Sequence, residues 1–83
     1  MEVSCPFREG ERCRVKRDYT HLNHVFHAGE EVVFTSRAYS PKEGVTRFWF
    51  RSVARGDTNA WHAFDGQTTD ADLYATFEAI TGA

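Results

Sequence analysis

Over residues 45–53 the chain alternates without interruption. Thr46, Phe48, Phe50 and Ser52 fall on one side of an extended backbone, and Val45, Arg47, Trp49, Arg51 and Val53 fall on the other. A period of two sustained over this length does not fit a helix, and two phenylalanines in step mark the first side as the one turned toward a core. The other side, arginine and tryptophan interleaved, is expected to face outward. A strand of this kind needs hydrogen-bonded neighbours, so the rest of the chain has to supply a sheet.

Three further segments meet that need. Over residues 12–18, Cys13 and Val15 alternate with Arg12, Arg14 and Lys16. Over 31–39, Val32, Phe34 and Ala38 share one face and Val33, Thr35, Arg37 and Tyr39 the other, ahead of a turn at Ser40-Pro41-Lys42-Glu43-Gly44. After a turn at Gly56-Asp57-Thr58-Asn59, residues 60–65 read as a short strand. Its inward residue is either Trp61 or His62, because a slip of one position exchanges them. Residues 19–30 follow neither period and read as a long loop closed by Gly29. Beyond Gly66 the pattern turns helical: Thr69 or Asp70 suits an N-cap, Asp70 and Asp72 suit the first turn, and Leu73, Phe77 and Ile80 recur at helical spacing. Tyr74 lies beside that stripe and reads as a packing residue.

These pieces predict a mainly β fold: a small antiparallel barrel or curled sheet of four to five strands over about residues 7–65, with one C-terminal helix over about residues 70–80. With 83 residues the chain has room for a single domain, 1–83, and one core, dominated by Phe26, Val32, Phe34, Phe48, Phe50, Leu73 and Phe77. A hydrophobic fraction of 41% and a charged fraction of 27% are those of an ordered globular chain. Ten basic against twelve acidic residues leave a formal charge of −2, which argues against bulk attraction to nucleic acid or to an anionic membrane. No segment has signal-peptide or membrane-span character, and a cytoplasmic location is the expectation. Cys5 and Cys13 are too few for a disulfide framework; reduced thiols are expected, with a single bridge between them left open.

The strand order, and the segment Phe26-His27-Ala28-Gly29-Glu30-Glu31-Val32-Val33-Phe34 in particular, resembles SH3-like small barrels over roughly residues 7–65. Val15-Lys16-Arg17-Asp18-Tyr19 is similar to the Ala-Leu-Tyr-Asp-Tyr element of SH3 domains, and Phe48-Trp49 to their paired tryptophans. The resemblance implies a binding module, with Tyr19 and Trp49 as peptide-contact residues. Thr20-His21-Leu22-Asn23-His24 stands where SH3 domains are usually acidic, so polyproline is not the expected ligand. Stand-alone bacterial small barrels and small immunity or inhibitor proteins look similar at the same level.

Chemistry-bearing residues are few. His21, His24 and His27 recur every three positions, but that spacing aligns them on neither an ideal strand nor an ideal helix. The cysteines form no close Cys-x-x-Cys pair, so no metal site and no cofactor are expected. The histidines instead suggest a pH-sensitive loop. Nothing resembles a phosphate-binding loop, a nucleophile elbow or a pair of catalytic carboxylates, so no enzymatic activity is expected. Arg55-Gly56-Asp57 reads as ordinary turn chemistry.

A hairpin through Ser40 to Gly44 pairs Tyr39 with Val45, Arg37 with Arg47 and Thr35 with Trp49, setting two arginines opposite each other. Arg37, Tyr39, Arg47, Trp49 and Arg51 therefore form the expected partner-binding face, suited to a protein with an acidic surface. The alternatives are a protein that sequesters a small phosphate-bearing or nucleotide ligand and, further off, a metal-dependent enzyme. A homo-oligomer is compatible with a domain this small.

Overall fold

A computed structural model describes residues 5–80 of the protein. The elements are β1 (Arg12–Val15), β2 (Tyr19–His21), β3 (His24–Phe26), β4 (Glu31–Ser40), β5 (Val45–Ser52), β6 (Thr58–Phe64), α1 (Asp70–Thr76) and β7 (Phe77–Ala79). Five strands form one antiparallel sheet in the order β6-β5-β4-β1-β7, and β2 and β3 form a separate hairpin. The sheet curls around its core but does not close into a barrel: among the described residues its edges, β6 and β7, are not paired with each other.

All seven residues expected to dominate the core are buried, and Phe7, Cys13, Val15, Trp61 and Ala63 join them. Phe50 stacks on Phe77 with ring centroids 4.2 Å apart, and Phe26 meets both rings edge-on at 5.8 and 5.2 Å. Offset and edge-to-face pairs of this kind are worth about 0.5–1.5 kcal/mol each beyond the area they bury. Trp61, not His62, faces the core, packing against Phe48 at 5.7 Å. Both thiols are free; Cys13 is fully buried, and desolvation, with Glu11 and Cys5 adding to it, pushes its pKa up to about 12.

The structure corrects four sequence readings. First, residues 19–30 are not a structureless loop: Tyr19 pairs with Phe26, Thr20 with Val25 and His21 with His24, with a two-residue turn at Leu22-Asn23. Second, the C-terminal helix stops at Thr76. Phe77 is extended (φ −130°, ψ 145°), and β7 pairs with β1 through Cys13 to Ala79 and Val15 to Phe77. Completing the β1 backbone and stacking Phe77 on Phe50 override the helical spacing of Leu73, Phe77 and Ile80. Third, Tyr74 is exposed rather than packed.

The fourth concerns register. Val32 pairs with Ser52, Val33 with Arg51 and Phe34 with Phe50, as the alternation requires, but the next pair is Ser36 with Trp49. Thr35 is the extra residue of a β-bulge, and its hydroxyl donates to the Trp49 carbonyl at 3.0 Å. Beyond the bulge every pairing shifts by one: Arg37 lies opposite Phe48, Ala38 opposite Arg47, and Tyr39 opposite Thr46. The expected Arg37–Arg47, Tyr39–Val45 and Thr35–Trp49 pairs do not form.

Candidate functional site

The bulge separates the five residues expected to make one face. Cross-strand partners share a face, so Arg37 and Tyr39 belong with Phe48 and Thr46 on the core side, at the end of β4 where the sheet overhangs its core. Both are exposed there, and the Tyr39 hydroxyl donates to Asp65 Oδ2 at 2.6 Å. Arg47, Trp49 and Arg51 remain together on the outer face of β5.

These three differ in their bonding. Arg47 is held by Glu43, one guanidinium nitrogen lying 3.1 Å from each carboxylate oxygen, and this contact holds the Glu43 carboxyl below its ordinary range. Trp49 is half-buried, with the His24 ring edge-on at 5.5 Å. Arg51 is exposed, and its guanidinium makes no hydrogen bond or ion pair among the described residues. Its cross-strand neighbours are Val33 and Thr58, which carry no charge to offset it.

Across β6 the outer face continues into imidazoles. His62 lies opposite Arg47, and its ring centroid is 4.5 Å from that of His21 and 5.1 Å from that of His24. Desolvation first, then the neighbouring His21, His24 and Arg47, lower its pKa to about 4, so the ring is neutral near pH 7. The expected loop histidines are thus divided. His21 and His24 converge on His62, while His27 is exposed at the turn after β3, where its backbone N–H donates to Glu30. No group of three His, Cys, Asp or Glu side chains among the described residues converges as a metal-ligand set.

The hairpin carrying these histidines lies across the β6 edge. An edge strand presents unpaired N–H groups that would pair with any strand offered to them. Here three side chains occupy them: His24 Nδ1 accepts from Ala60 N–H at 3.0 Å, the Tyr19 hydroxyl accepts from His62 N–H at 3.1 Å, and Thr68 Oγ1 accepts from Phe64 N–H at 2.9 Å. Tyr19, implied by resemblance as a peptide contact, spends its hydroxyl on this edge and packs its ring on Phe26 and Trp61. Burial raises its pKa, partly opposed by the His62 N–H.

Beside the edge a cleft of about 260 Å³ opens between β2, β6 and the start of α1, lined by Arg17, Tyr19, His21, His62, Phe64 and Asp72 among others. It is smaller than the roughly 300–1,000 Å³ typical of small-molecule pockets and suits a single inserted side chain. Asp72 is fixed by the helix cap, accepting from the Thr69 N–H and hydroxyl, which hold its carboxyl below the usual range; nearby Arg17 acts in the same direction.

The comparisons name no relative. Neither family models, curated proteins nor solved structures match this chain. His62, Arg17, Phe64 and Asp72 were not among the expected site residues. The signal that bore on them was the Trp61/His62 ambiguity itself: both are buried because the hairpin covers the second face.

Proposed function

We propose that the protein is a non-catalytic binding module that engages an acidic partner through the outer face of β5, with Arg47, Trp49 and Arg51 as the contact stripe. The observation that carries this reading is Arg51: an exposed guanidinium with no hydrogen bond or ion pair among the described residues, two residues from a half-buried tryptophan, in a protein that is acidic overall. Tryptophan and arginine are the residues most enriched at binding hot spots, and an unpaired guanidinium offers bidentate bonds to a carboxylate. Arg37 and Tyr39, displaced by the bulge, leave the site. The nearby cleft would take one side chain of the bound segment; Asp72 in its wall opposes a phosphate there, which weighs against the nucleotide-sequestering alternative.

We further infer that the fold is an open variant of the SH3-like small barrels. The support is the succession of a first strand, a hairpin, three antiparallel strands, a short helix and a last strand returning beside the first. In that reading Trp49 keeps the role the resemblance implies and Tyr19 does not.

The test is capture of partners from the protein's own lysate by the wild type and by Trp49→Ala, Arg51→Glu and Arg37→Glu variants, each first shown to be folded by near-ultraviolet circular dichroism. A partner lost with Trp49→Ala and Arg51→Glu but retained with Arg37→Glu is the expected result. Retention by both outer-face variants contradicts the proposal.

A further inference from the structure

Independently of what binds the outer face, the contact between hairpin and edge has a chemical weakness. Of the three side chains that cap β6, His24 is the one that loses its acceptor on gaining a proton. Its Nδ1 takes the Ala60 N–H at 3.0 Å, so the neutral ring carries its hydrogen on Nε2, and an imidazolium has no lone pair left to offer. The Tyr19 hydroxyl, which takes the His62 N–H, also lies 3.4 Å from His62 Nδ1, and a neutral ring with its hydrogen on Nε2 accepts from the hydroxyl there. Protonation of His62 removes that acceptor as well.

The three rings are distributed so that acid pushes the two elements apart. His21 and His24 belong to the hairpin and His62 to the edge, at centroid separations of 4.5 and 5.1 Å. The other groups around the cluster do not reverse this. Arg47 on β5 adds positive charge opposite His62; its partner Glu43 also lies within electrostatic reach of His62, but one carboxylate offsets one guanidinium and leaves the added imidazolium charges unbalanced. In the cleft, Arg17 is positive and hydrogen-bonded to Thr76, while Asp72 on α1 is committed to the Thr69 cap. Trp49 and Phe64, which touch His24 and His21, are uncharged.

The hairpin is also built to move at one end. Its base is anchored by Phe26, buried among Phe50 and Phe77, and by the Tyr19 ring. Its tip holds to β6 through the His24 bond and a 3.3 Å bond from Val25 N–H to Asn59 Oδ1, with a long 3.5 Å bond from Arg55 to the Val25 carbonyl. At the turn Leu22 is 78% exposed with φ 55°, a left-handed conformation that non-glycine residues adopt at a cost. Few contacts and a strained turn place the tip among the segments that open most readily.

We propose that the β2–β3 hairpin is an acid-released clasp: protonation of the His21–His24–His62 cluster frees residues 20–25 from β6 and bares the Ala60 N–H donor of the sheet edge, while Tyr19 in the anchored base keeps the His62 N–H. The exposed edge is then open to an added strand, the event that edge capping prevents at neutral pH.

Residue-resolved amide exchange at pH 7.5, 6, 5 and 4, corrected for intrinsic rates, tests this. The expected result is a loss of protection of at least tenfold at Ala60 as the pH falls, with Phe48 and Phe50 unchanged. Flat protection at Ala60 overturns the proposal, and so does a uniform loss across the sheet, which would be global unfolding. In a His24→Asn variant the amide oxygen replaces Nδ1 with an acceptor that does not titrate, so protection at Ala60 should lose much of its pH dependence. An unaltered pH dependence in that folded variant also overturns it.

Discussion

Thr46 sits at 1% exposure between Tyr39 on β4 and Ala63 on β6, and among the described residues its hydroxyl is the buried side-chain polar atom that lacks a hydrogen-bond partner. An unsatisfied buried hydroxyl costs about 1–3 kcal/mol, and valine has the same shape without it. Thr46→Val should therefore raise stability by about 1 kcal/mol, read as a shift of the urea midpoint at constant slope. A fall of that size would show that the hydroxyl has a partner or a task. His62 makes a second residue-scale prediction. Its folded pKa of about 4 lies below the ~6.5 of an unfolded histidine, so between those values the unfolded state binds the extra proton. The stability gained by keeping His62 neutral is complete above about pH 6.5, declines as the pH falls toward 4, and is not lost further below that. At about 1.4 kcal/mol per pH unit the total is bounded near 3 kcal/mol. Replacing His62 with Gln should flatten the stability profile between pH 6.5 and 4, and a slope as steep as that of the wild type would refute this assignment. Glu30 acts in the opposite sense at the other end of β6. Burial raises its pKa, but bonds from His27 N–H, the Ser52 hydroxyl at 2.7 Å and Arg55 at 2.8 Å outweigh that and hold it ionised.

Among the elements, the β2–β3 hairpin shows most clearly what the residue pattern hides. Residues 19–26 hide their alternation because the face that packs inward mixes aromatics with histidines: Tyr19 and Phe26 pack on the core, and His21 and His24, on the same face, pack on His62 and Trp49. A two-residue turn with a positive φ at its first position is normally announced by glycine or asparagine, and Leu22 announces nothing. Replacing Leu22 with Gly should relieve the strain and raise stability by about 0.5–1 kcal/mol in thermal or urea unfolding; a loss would mean that the leucine makes a contact worth more than the strain. The bulge at Thr35 is equally silent, since it needs neither glycine nor proline and falls where β4 turns polar. The N-cap was legible, Thr69 and Asp72 forming a reciprocal capping box. The helix end was not, because no glycine or proline stands directly after Thr76 and the competing β1 pairing is made by residues far away in the chain.

At the scale of the whole molecule, the seven core positions and the antiparallel sheet could be read because they rest on periodicity within single segments. The site could be read only in part, because one inserted residue in β4 decides which side chains meet across the sheet. Arg47, Trp49 and Arg51 lie on one strand, so their common face survives any shift in register; Arg37 and Tyr39 reach that face only through pairing, and the bulge removes them. The capped β6 edge, the imidazole cluster and the cleft arise where the hairpin meets the sheet, a meeting that no local pattern encodes. The outer face of β5 is thus the surface on which the proposed function rests. Its most direct measurement is a ¹H–¹⁵N correlation titration of the labelled protein with the partner that the wild type captures. The account predicts that shifts concentrate at the Trp49 indole and at the backbone amides of Arg47, Arg51 and His62. Shifts concentrated instead at Arg37 and Tyr39, or along β7, with the Trp49 indole unmoved, would contradict it.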